Sequence, residues 1–160
     1  MAGASTITLP AGTYTLSIAG ANEGAAETGD LDIIDDLTLS GAGADNTIVD
    51  GGALDRVFQV YSAPYVSFVP FPSVAISSMT VQNCAGSDGG GIYNEVGSTL
   101  AITNGTVSDN SADKGGAIYN AGTLTLPDST GSGNTAGSEG GIYDKGKVDI
   151  TNSTIGGDPP

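Results

Sequence analysis

The chain has 160 residues, the length of one domain, and its 18 acidic and 4 basic residues give a net charge of −14. So few lysines and arginines exclude nucleic acid and anionic membrane surfaces as partners, because basic side chains bind phosphate groups. The chain has no histidine, which excludes Ser-His-Asp and Cys-His catalysis and the usual zinc sites. It also has no apolar run of about 18 residues for membrane insertion.

Short apolar pieces separated by turn residues make up residues 1–60. Their alternation of apolar and polar residues predicts strands that are less regular than those later in the chain, as terminal repeats often are. The predicted strands lie in residues 6–18 around Pro10–Gly12, and at Leu31–Ile33, Leu37–Leu39, Ile48–Val49 and Val57–Val60. The first ten residues lack the basic and apolar segments of a signal peptide, so we expect none in this chain.

Four aspartates of this region, Asp30, Asp32, Asp35 and Asp36, form the best acidic cluster of the chain. Alternation along the strand is expected to direct Asp30 and Asp32 outward together. Clustered carboxylates on one face are what a polysaccharide hydrolase needs. A polysaccharide lyase needs a basic residue near bound calcium, and Arg56 is the only arginine.

Residues 61–73, YSAPYVSFVPFPS, interrupt the strand pattern with aromatic residues and prolines. Proline lacks the N–H that a central strand needs, so this segment predicts an extended loop. Two interpretations are open for Tyr61, Tyr65, Phe68 and Phe71. They pack down on the flank of the molecule, or they form an exposed patch for a partner or a sugar ring.

Residues 74–160 hold regular repeats, with three copies of one pattern beginning at Gly89, Gly115 and Gly140. The aligned copies give four apolar columns: Ile92, Ile118 and Ile142; Tyr93, Tyr119 and Tyr143; Leu100, Leu124 and Val148; Ile102, Leu126 and Ile150. The later columns recur every 24 residues, but the first interval of the isoleucine column is 26. We assign the two extra residues to turns between Tyr93 and Leu100 and around Asp113. A fixed period of about 20–50 residues is typical of a solenoid.

Each repeat contains three short apolar pieces, none long enough for an amphipathic helix. Three strands and three corners in about 24 residues predict one turn, or rung, of an all-β parallel β-helix with rungs about 4.8 Å apart. Asparagine and aspartate also align, in the columns Asn94, Asn120 and Asp144; Asn104, Asp128 and Asn152; and Asn110, Asn134 and Asp158. We interpret them as corner residues and stacked amide ladders, with glycosylation or metal binding as the alternative.

The repeats resemble a known class of surface proteins. GGGIYN, followed by GTLTL-like and NSTVSGN-like segments, is similar to the right-handed parallel β-helix repeats of large secreted and outer-surface bacterial proteins, such as polymorphic outer-membrane proteins and autotransporter passengers. The earlier stretches TITLPAGTYTLSI, GDLDIIDDLTLSGAGADNTIVDGG and LDRVFQV resemble the start of a CSLREA-type surface domain. The usual signal peptide and Cys-Ser-Leu-Arg-Glu-Ala-like segment are missing from this chain. The resemblance implies a right-handed coil, a non-enzymatic role and an extracellular or cell-surface location.

Calcium is the one cofactor that the residues suggest, and none is required. Hard cations prefer carboxylate and carbonyl oxygens in loops, which makes Asp45, Asn46 and Asp50, and Asp109 with Asp113, the candidate ligands. The alternative is a solvated acidic surface, since no EF-hand loop or calcium-binding nonapeptide run is present.

Three further residues suggest modification or burial. Asn104 and Asn152 begin the sequons NGT and NST and are candidates for glycosylation. Cys84 is the only cysteine, so the chain has no internal disulfide, and we interpret it as a buried small side chain rather than a reactive thiol.

The expected function is a non-enzymatic structural or adhesive module, a rod that stacks end to end with copies of itself or contacts a surface glycan or protein. The strands expected at the ends contain Ile7, Leu9, Val148, Ile150 and Ile155. Unpaired strand edges at such ends favour further pairing. The alternative interpretation of these ends is that the chain is a fragment of a longer β-helix whose caps lie outside it. The alternative is a β-helix that binds carbohydrate or cleaves polysaccharide.

Overall fold

Short strands joined by turns run through the part of the chain that the structure describes, residues 4–20, 28–61 and 70–156 of a computed structural model. Within these ranges there are strands and no helix. The strands are β1 (Ser5–Thr8), β2 (Gly12–Thr15), β3 (Leu31–Ile33), β4 (Leu37–Ser40), β5 (Thr47–Asp50), β6 (Phe58–Val60), β7 (Ser73–Ser77), β8 (Thr80–Gln82), β9 (Ile92–Asn94), β10 (Thr99–Thr103), β11 (Thr106–Ser108), β12 (Ser111–Lys114), β13 (Ile118–Asn120), β14 (Thr123–Pro127), β15 (Thr130–Ser132), β16 (Thr135–Ser138), β17 (Ile142–Asp144), β18 (Lys147–Thr151) and β19 (Thr154–Ile155).

The strands form three long parallel sheets, and consecutive strands lie in different sheets. The first sheet is β1-β4-β7-β10-β14-β18, the second is β2-β5-β8-β11-β15-β19, and the third is β3-β6-β9-β13-β17. Each set of three strands is one rung, and the next rung pairs with it in parallel. The molecule is therefore a parallel β-helix, which confirms the predicted fold class.

The spacing of the rungs follows the sequence pattern closely. Thr99 pairs with Thr123, and Thr123 pairs with Lys147, each 24 residues further on. The first two rungs are longer, because Ser5 pairs with Leu37 and Leu37 pairs with Val74. The additional residues of these two rungs fall within 16–30 and 61–72, which the structure describes only in part.

One detail of the predicted spacing is wrong. Both extra residues of the 26-residue interval lie in the turn of residues 95–98, between β9 and β10, and none lies around Asp113. Asp113 belongs to β12, which pairs with β16 as a short fourth sheet at the corner between the second and third sheets. The segments SADK and TAGS lack the apolar alternation that marks a strand, which is why the sequence did not reveal them.

The core is a stack of apolar columns between the sheets. Ile118 pairs with Ile92 on one side and with Ile142 on the other, and its side chain is 1% exposed. Leu124 likewise follows Leu100 in the first sheet. The second sheet contributes Val49, Val81 and Val107. Three of the four predicted columns therefore line the core, whereas the tyrosine column lies on the outer face of the third sheet.

Two ladders of amides run along the coil beside this core. The Asn94 side chain donates a hydrogen bond to Asn120 Oδ1 at 2.7 Å, and Asn120 donates one to Asp144 Oδ1 at 2.6 Å. In the second ladder, Asn110 donates to Asn134 Oδ1 at 3.0 Å. All four asparagines are fully buried, and the ladders give each of them a hydrogen-bond partner, although Asn94 Oδ1 has none among the described residues.

Replacing Asn120 with leucine is expected to lower the free energy of unfolding by about 1–3 kcal/mol, because the buried Asn94 amide loses the oxygen that accepts its hydrogen bond. The amide of Asn94, the Asp144 carboxylate and the Lys147 carbonyl oxygen all contact the Asn120 side chain. Urea unfolding followed by circular dichroism measures the change. Asn46→Leu is the control, since Asn46 is exposed and donates one long bond of 3.4 Å to the Ala42 carbonyl oxygen. Equal unfolding midpoints for both variants would contradict the structural role of the ladder.

Candidate functional site

The first rung leaves the apolar interior of the coil open. Ile7 is 47% exposed, whereas Leu39, its partner in the next rung, is buried. Tyr14 and Leu31 are similarly exposed, and the open interior is a cavity of about 500 Å³ whose walls include both of them and Leu9. In the middle of the coil, the neighbouring rung covers the side chains at these positions. The surface at this end is therefore as apolar as the core. We call it the head of the coil.

The last rung leaves a second apolar cross-section. Ile150 is 45% exposed and Val148 is also exposed, whereas Leu124 and Leu126 in the preceding rung are buried. Ile155 is half-buried and packs against the core. We call this surface the tail. The end-strand residues predicted from the sequence therefore lie at the head or at the tail.

The head and the tail carry different charges. Asp32, Asp35 and Asp36 lie in β3 and in the corner that follows it at the head. At the tail, Lys145 and Lys147 lie beside Asp144 and Asp149, so the charges of these four residues cancel. The side chain of Asp36 accepts a hydrogen bond from the Ser73 N–H at 2.8 Å.

A buried ion cluster surrounds Arg56 and connects three consecutive rungs. Arg56 lies between β5 and β6, and its Nε is 2.8 Å from Asp30 Oδ2, just before β3. Its Nη1 donates a hydrogen bond to the Asp88 carbonyl oxygen at 3.0 Å, and its guanidinium lies 5.6 Å from the centre of the Tyr93 ring. Asp55 accepts a hydrogen bond from the Arg56 N–H at 2.7 Å. Asp30, Asp55 and Arg56 are buried, and we call these three residues the Arg56 cluster.

Asp30 is held close to a cation but is poorly hydrogen-bonded. Neither oxygen of Asp30 nor Arg56 Nε has a partner in hydrogen-bonding geometry among the described residues, so their contact is an ion pair without a directed bond. Burial consequently raises the pKa of Asp30 from 3.8 to about 6, although the charge of Arg56 acts in the opposite direction. The charges of Asp32 and Asp55 add to the increase.

The predicted acidic cluster is therefore divided in two. Asp30 is 1% exposed, which corrects the expectation that it points outward with Asp32. Asp35 and Asp36 are exposed at the next corner. The expected single exposed face of four carboxylates does not form, because Asp30 is buried beside Arg56 of the next rung, whereas Asp35 and Asp36 are exposed.

The tyrosine column forms a stack on the outside of the third sheet. The ring centroids of Tyr93 and Tyr119 are 4.7 Å apart, and those of Tyr119 and Tyr143 are 5.0 Å apart. The Lys145 ammonium lies 5.7 Å and 5.6 Å from the centres of the Tyr119 and Tyr143 rings. The ring faces thus cover one another, and Tyr119 is buried, so the stack does not offer a flat aromatic surface for a sugar ring.

The aromatic patch predicted in residues 61–73 is only partly described. Tyr61 is 7% exposed, so it packs into the molecule and is not available for an exposed patch, which corrects its assignment as an interaction residue. Phe71 is 56% exposed, and its ring lies against Gly97. Tyr65 and Phe68 lie outside the described residues.

The calcium candidates are not brought together as a metal site. In the described ranges, no group of three or more Asp, Glu, His or Cys side chains is placed to hold a metal ion. Asp50 instead accepts hydrogen bonds from the Gly52 N–H and the Asn83 amide, both at 2.8 Å. Burial alone would raise the pKa of Asp50, but these bonds and one from Gln82 outweigh it and lower that pKa. The remaining candidates are exposed or half-buried: Asp45, Asn46, Asp109 and Asp113.

The glycosylation candidates occupy exposed corners. Asn104 and Asn152 follow β10 and β18 with φ of 50° and 51°, a left-handed conformation that asparagine tolerates. Their positions confirm that this asparagine column marks the corner between the first and second sheets. Cys84 is buried, as interpreted from the sequence, and burial raises the pKa of its thiol to about 12.

Comparison with protein-family models, with curated proteins and with solved structures finds no match to this chain. A search of the described residues for helices long and apolar enough to cross a membrane also finds none. The geometry of the coil and of its two ends is therefore the basis for the function proposed below.

Proposed function

We propose that this chain is a non-enzymatic structural or adhesive module of a cell surface, a rigid rod whose ends associate with further copies of the chain. The observation that carries the proposal is the pair of half-exposed apolar columns at the head and the tail. Solenoids normally cover such columns with polar capping elements. The surface location rests on the resemblance of the repeats to those of outer-surface proteins.

The sides and the ends of the rod differ in a way that supports association through the ends. Thr99, on the outer face of the first sheet, is exposed and polar, whereas Ile7 and Ile150 at the ends are exposed and apolar. A contact between different surfaces of two copies does not close on itself, so repeated contacts give filaments. The net charge of −14 opposes such contacts, and salt screens this repulsion.

The alternative of carbohydrate binding or cleavage has less support from the geometry. The stacked tyrosines cover each other's faces, which are the surfaces that a sugar ring would use. Arg56, the only arginine, is buried beside Asp30 and does not face solvent as a substrate-binding cation would.

Light scattering on the purified chain tests the proposal. We expect the average molar mass to increase with protein concentration and to increase further when the salt concentration is raised. Ile150→Asp should abolish this increase, because it places a negative charge in the apolar surface of the tail.

Val96→Asp is the matched control, since Val96 is 72% exposed but lies in a turn away from both ends. This variant should associate like the unmodified chain. A constant monomer mass at high protein concentration, in both low and high salt, would refute end-to-end association.

A further inference from the structure

We infer that the surface joined to the head of one molecule is the tail of a second copy, in one register that places Ile150 against Ile7 and Ile155 against Tyr14. The inference rests on the proposed function and specifies its partner, polarity and pairing. In this arrangement β18 of one copy pairs with β1 of the next, and β19 pairs with β2, all in parallel.

The first sheet supplies the first part of the register. Its inward column begins at the head with Ile7, which pairs with Leu39. The same column ends at the tail with Ile150, which pairs with Leu126. Ile7 and Ile150 are each about half exposed, whereas Leu39 and Leu126 are buried. If Ile7 packed on Ile150, an apolar neighbour would cover each of the two side chains, as happens to the other side chains of this column in the inner rungs.

The second sheet supplies an independent part of the register. Tyr14 begins its inward column and pairs with Val49, and Ile155 ends the column and pairs with Gly131. Gly131 has no side chain, and the side chain of Ile155 lies close to the space that a Cβ there would fill. Tyr14 is the largest side chain of the head, and it would cover Ile155 in the proposed stack.

Other registers lose one of these two contacts. A shift of one residue places Ile7 opposite Asp149 or Thr151 and reverses the inward and outward faces of the strand. A shift of two residues leaves Ile7 opposite Val148 but moves Tyr14 from Ile155 to the polar Ser153. Only the proposed register keeps apolar side chains together in both sheets.

Charge and strand direction favour head-to-tail contacts over head-to-head contacts. Two heads in contact would place Asp32, Asp35 and Asp36 of both copies near each other, whereas at the tail Lys145 and Lys147 balance the charges of Asp144 and Asp149. A head-to-head contact would also pair the end strands antiparallel, although every described strand pair of the coil is parallel. The third sheet has five described strands, whereas the first and second sheets have six each, so the first and second sheets carry the contact.

Disulfide cross-linking between single-cysteine variants tests the register. Thr8 and Thr151 are exposed at the two ends of one outward column, in which Thr8 pairs with Ser40 and Pro127 pairs with Thr151. In the proposed stack their Cα atoms would be about 4.8 Å apart, within the range that a disulfide spans. Mixing Thr8→Cys with Thr151→Cys under mild oxidation should therefore convert both variants to a mixed dimer. The native Cys84 is buried and does not compete.

Three controls separate this register and polarity from other contacts. Thr8→Cys mixed with Asp149→Cys tests the slip of two residues that places Ile7 opposite Val148, because in the proposed register these two Cα atoms are about 8 Å apart, beyond the reach of a disulfide. Thr8→Cys alone tests the head-to-head contact, and Thr151→Cys alone tests the tail-to-tail contact. We expect all three controls to remain uncross-linked under conditions that give the mixed Thr8 and Thr151 dimer.

The outcomes distinguish this inference from the proposed function. Cross-linking of Thr8→Cys with Thr151→Cys, together with unreactive controls, supports the stated register. Association in light scattering with cross-linking only in a control overturns the register or the polarity and leaves end-to-end association in place. A constant monomer mass without cross-links in any mixture overturns both.

Discussion

Replacing Ile118 with aspartate is expected to lower the free energy of unfolding by at least about 3 kcal/mol, because it buries a charge without a partner and removes apolar contacts. The side chain of Ile118 is 1% exposed and lies between Ile92 and Ile142. A carboxylate there would be surrounded by the stacked columns of the core. The loss should be visible as a large decrease in both the melting temperature and the urea midpoint.

Thr99→Asp is the matched control for this prediction. Thr99 is exposed on the outer face of the first sheet, where it pairs with Ser73 and Thr123. The same charge at this position should change stability by less than about 0.5 kcal/mol. If both variants melted within one or two degrees of the unmodified chain, the proposed inward column of the third sheet would be wrong.

Replacing Arg56 with leucine is expected to destabilise the chain by about 3–5 kcal/mol at pH 7.5, because Asp30 and Asp55 then lose the cation that is buried with them. Arg56 Nε lies 2.8 Å from Asp30 and 3.9 Å from Asp55. The bond from Arg56 to the Asp88 carbonyl oxygen is also lost, so the first three rungs lose a shared contact.

The effect of this substitution should depend on pH in a direction that Asp30 determines. The pKa of Asp30 is raised from 3.8 to about 6 in the folded chain, so folding favours its protonated form. The stabilisation that results from this raised pKa is fully present below pH 3.8 and is lost as the pH rises through about 6. Arg56→Leu removes the charge that lowers this pKa, so the variant should recover most of its stability between pH 7.5 and pH 5.

Chemical unfolding of four chains at both pH values measures this coupling: the unmodified chain, Arg56→Leu, Asp30→Asn and the double variant. At pH 7.5, Asp30→Asn should restore part of the stability that Arg56→Leu removes, because the amide carries no charge. It should restore little at pH 5, where Asp30 is already protonated in the Arg56→Leu chain. A stability difference between Arg56→Leu and the double variant that is the same at both pH values would contradict this assignment.

The repeats predicted most of the fold because one pattern of side chains recurs with a constant period. Ile92, Ile118 and Ile142 share a column in the structure as they do in the aligned sequence. The alternation that directs these isoleucines inward also directs the tyrosines beside them outward, so the tyrosine stack follows from the same pattern. The sequence also identified the strands of the first and last described rungs, because their apolar residues align with the columns of the neighbouring rungs.

The Arg56 cluster could not be predicted in this way. Asp30 and Arg56 lie just before β3 and β6, which pair with each other. These early rungs do not have the 24-residue spacing of the later repeats, so the repeat pattern does not predict this contact. Local alternation predicts only the face of the strand on which the Asp30 side chain lies. It does not predict which residues cover that face. The sequence also did not predict the surroundings of the calcium candidates. Asp50, for example, accepts a hydrogen bond from the Asn83 amide of the next rung.

The rungs that begin at Thr99 and at Thr123 have the same length of 24 residues, which has a consequence for how such a molecule can vary during evolution. Both carry the inward columns of the first and third sheets, and each contacts mainly the rungs on either side. Duplication or loss of a coding segment for one 24-residue unit would change the length of the rod by about 4.8 Å and leave both ends unchanged. Recombination between repeats can therefore adjust the reach of the molecule while its terminal surfaces are inherited intact.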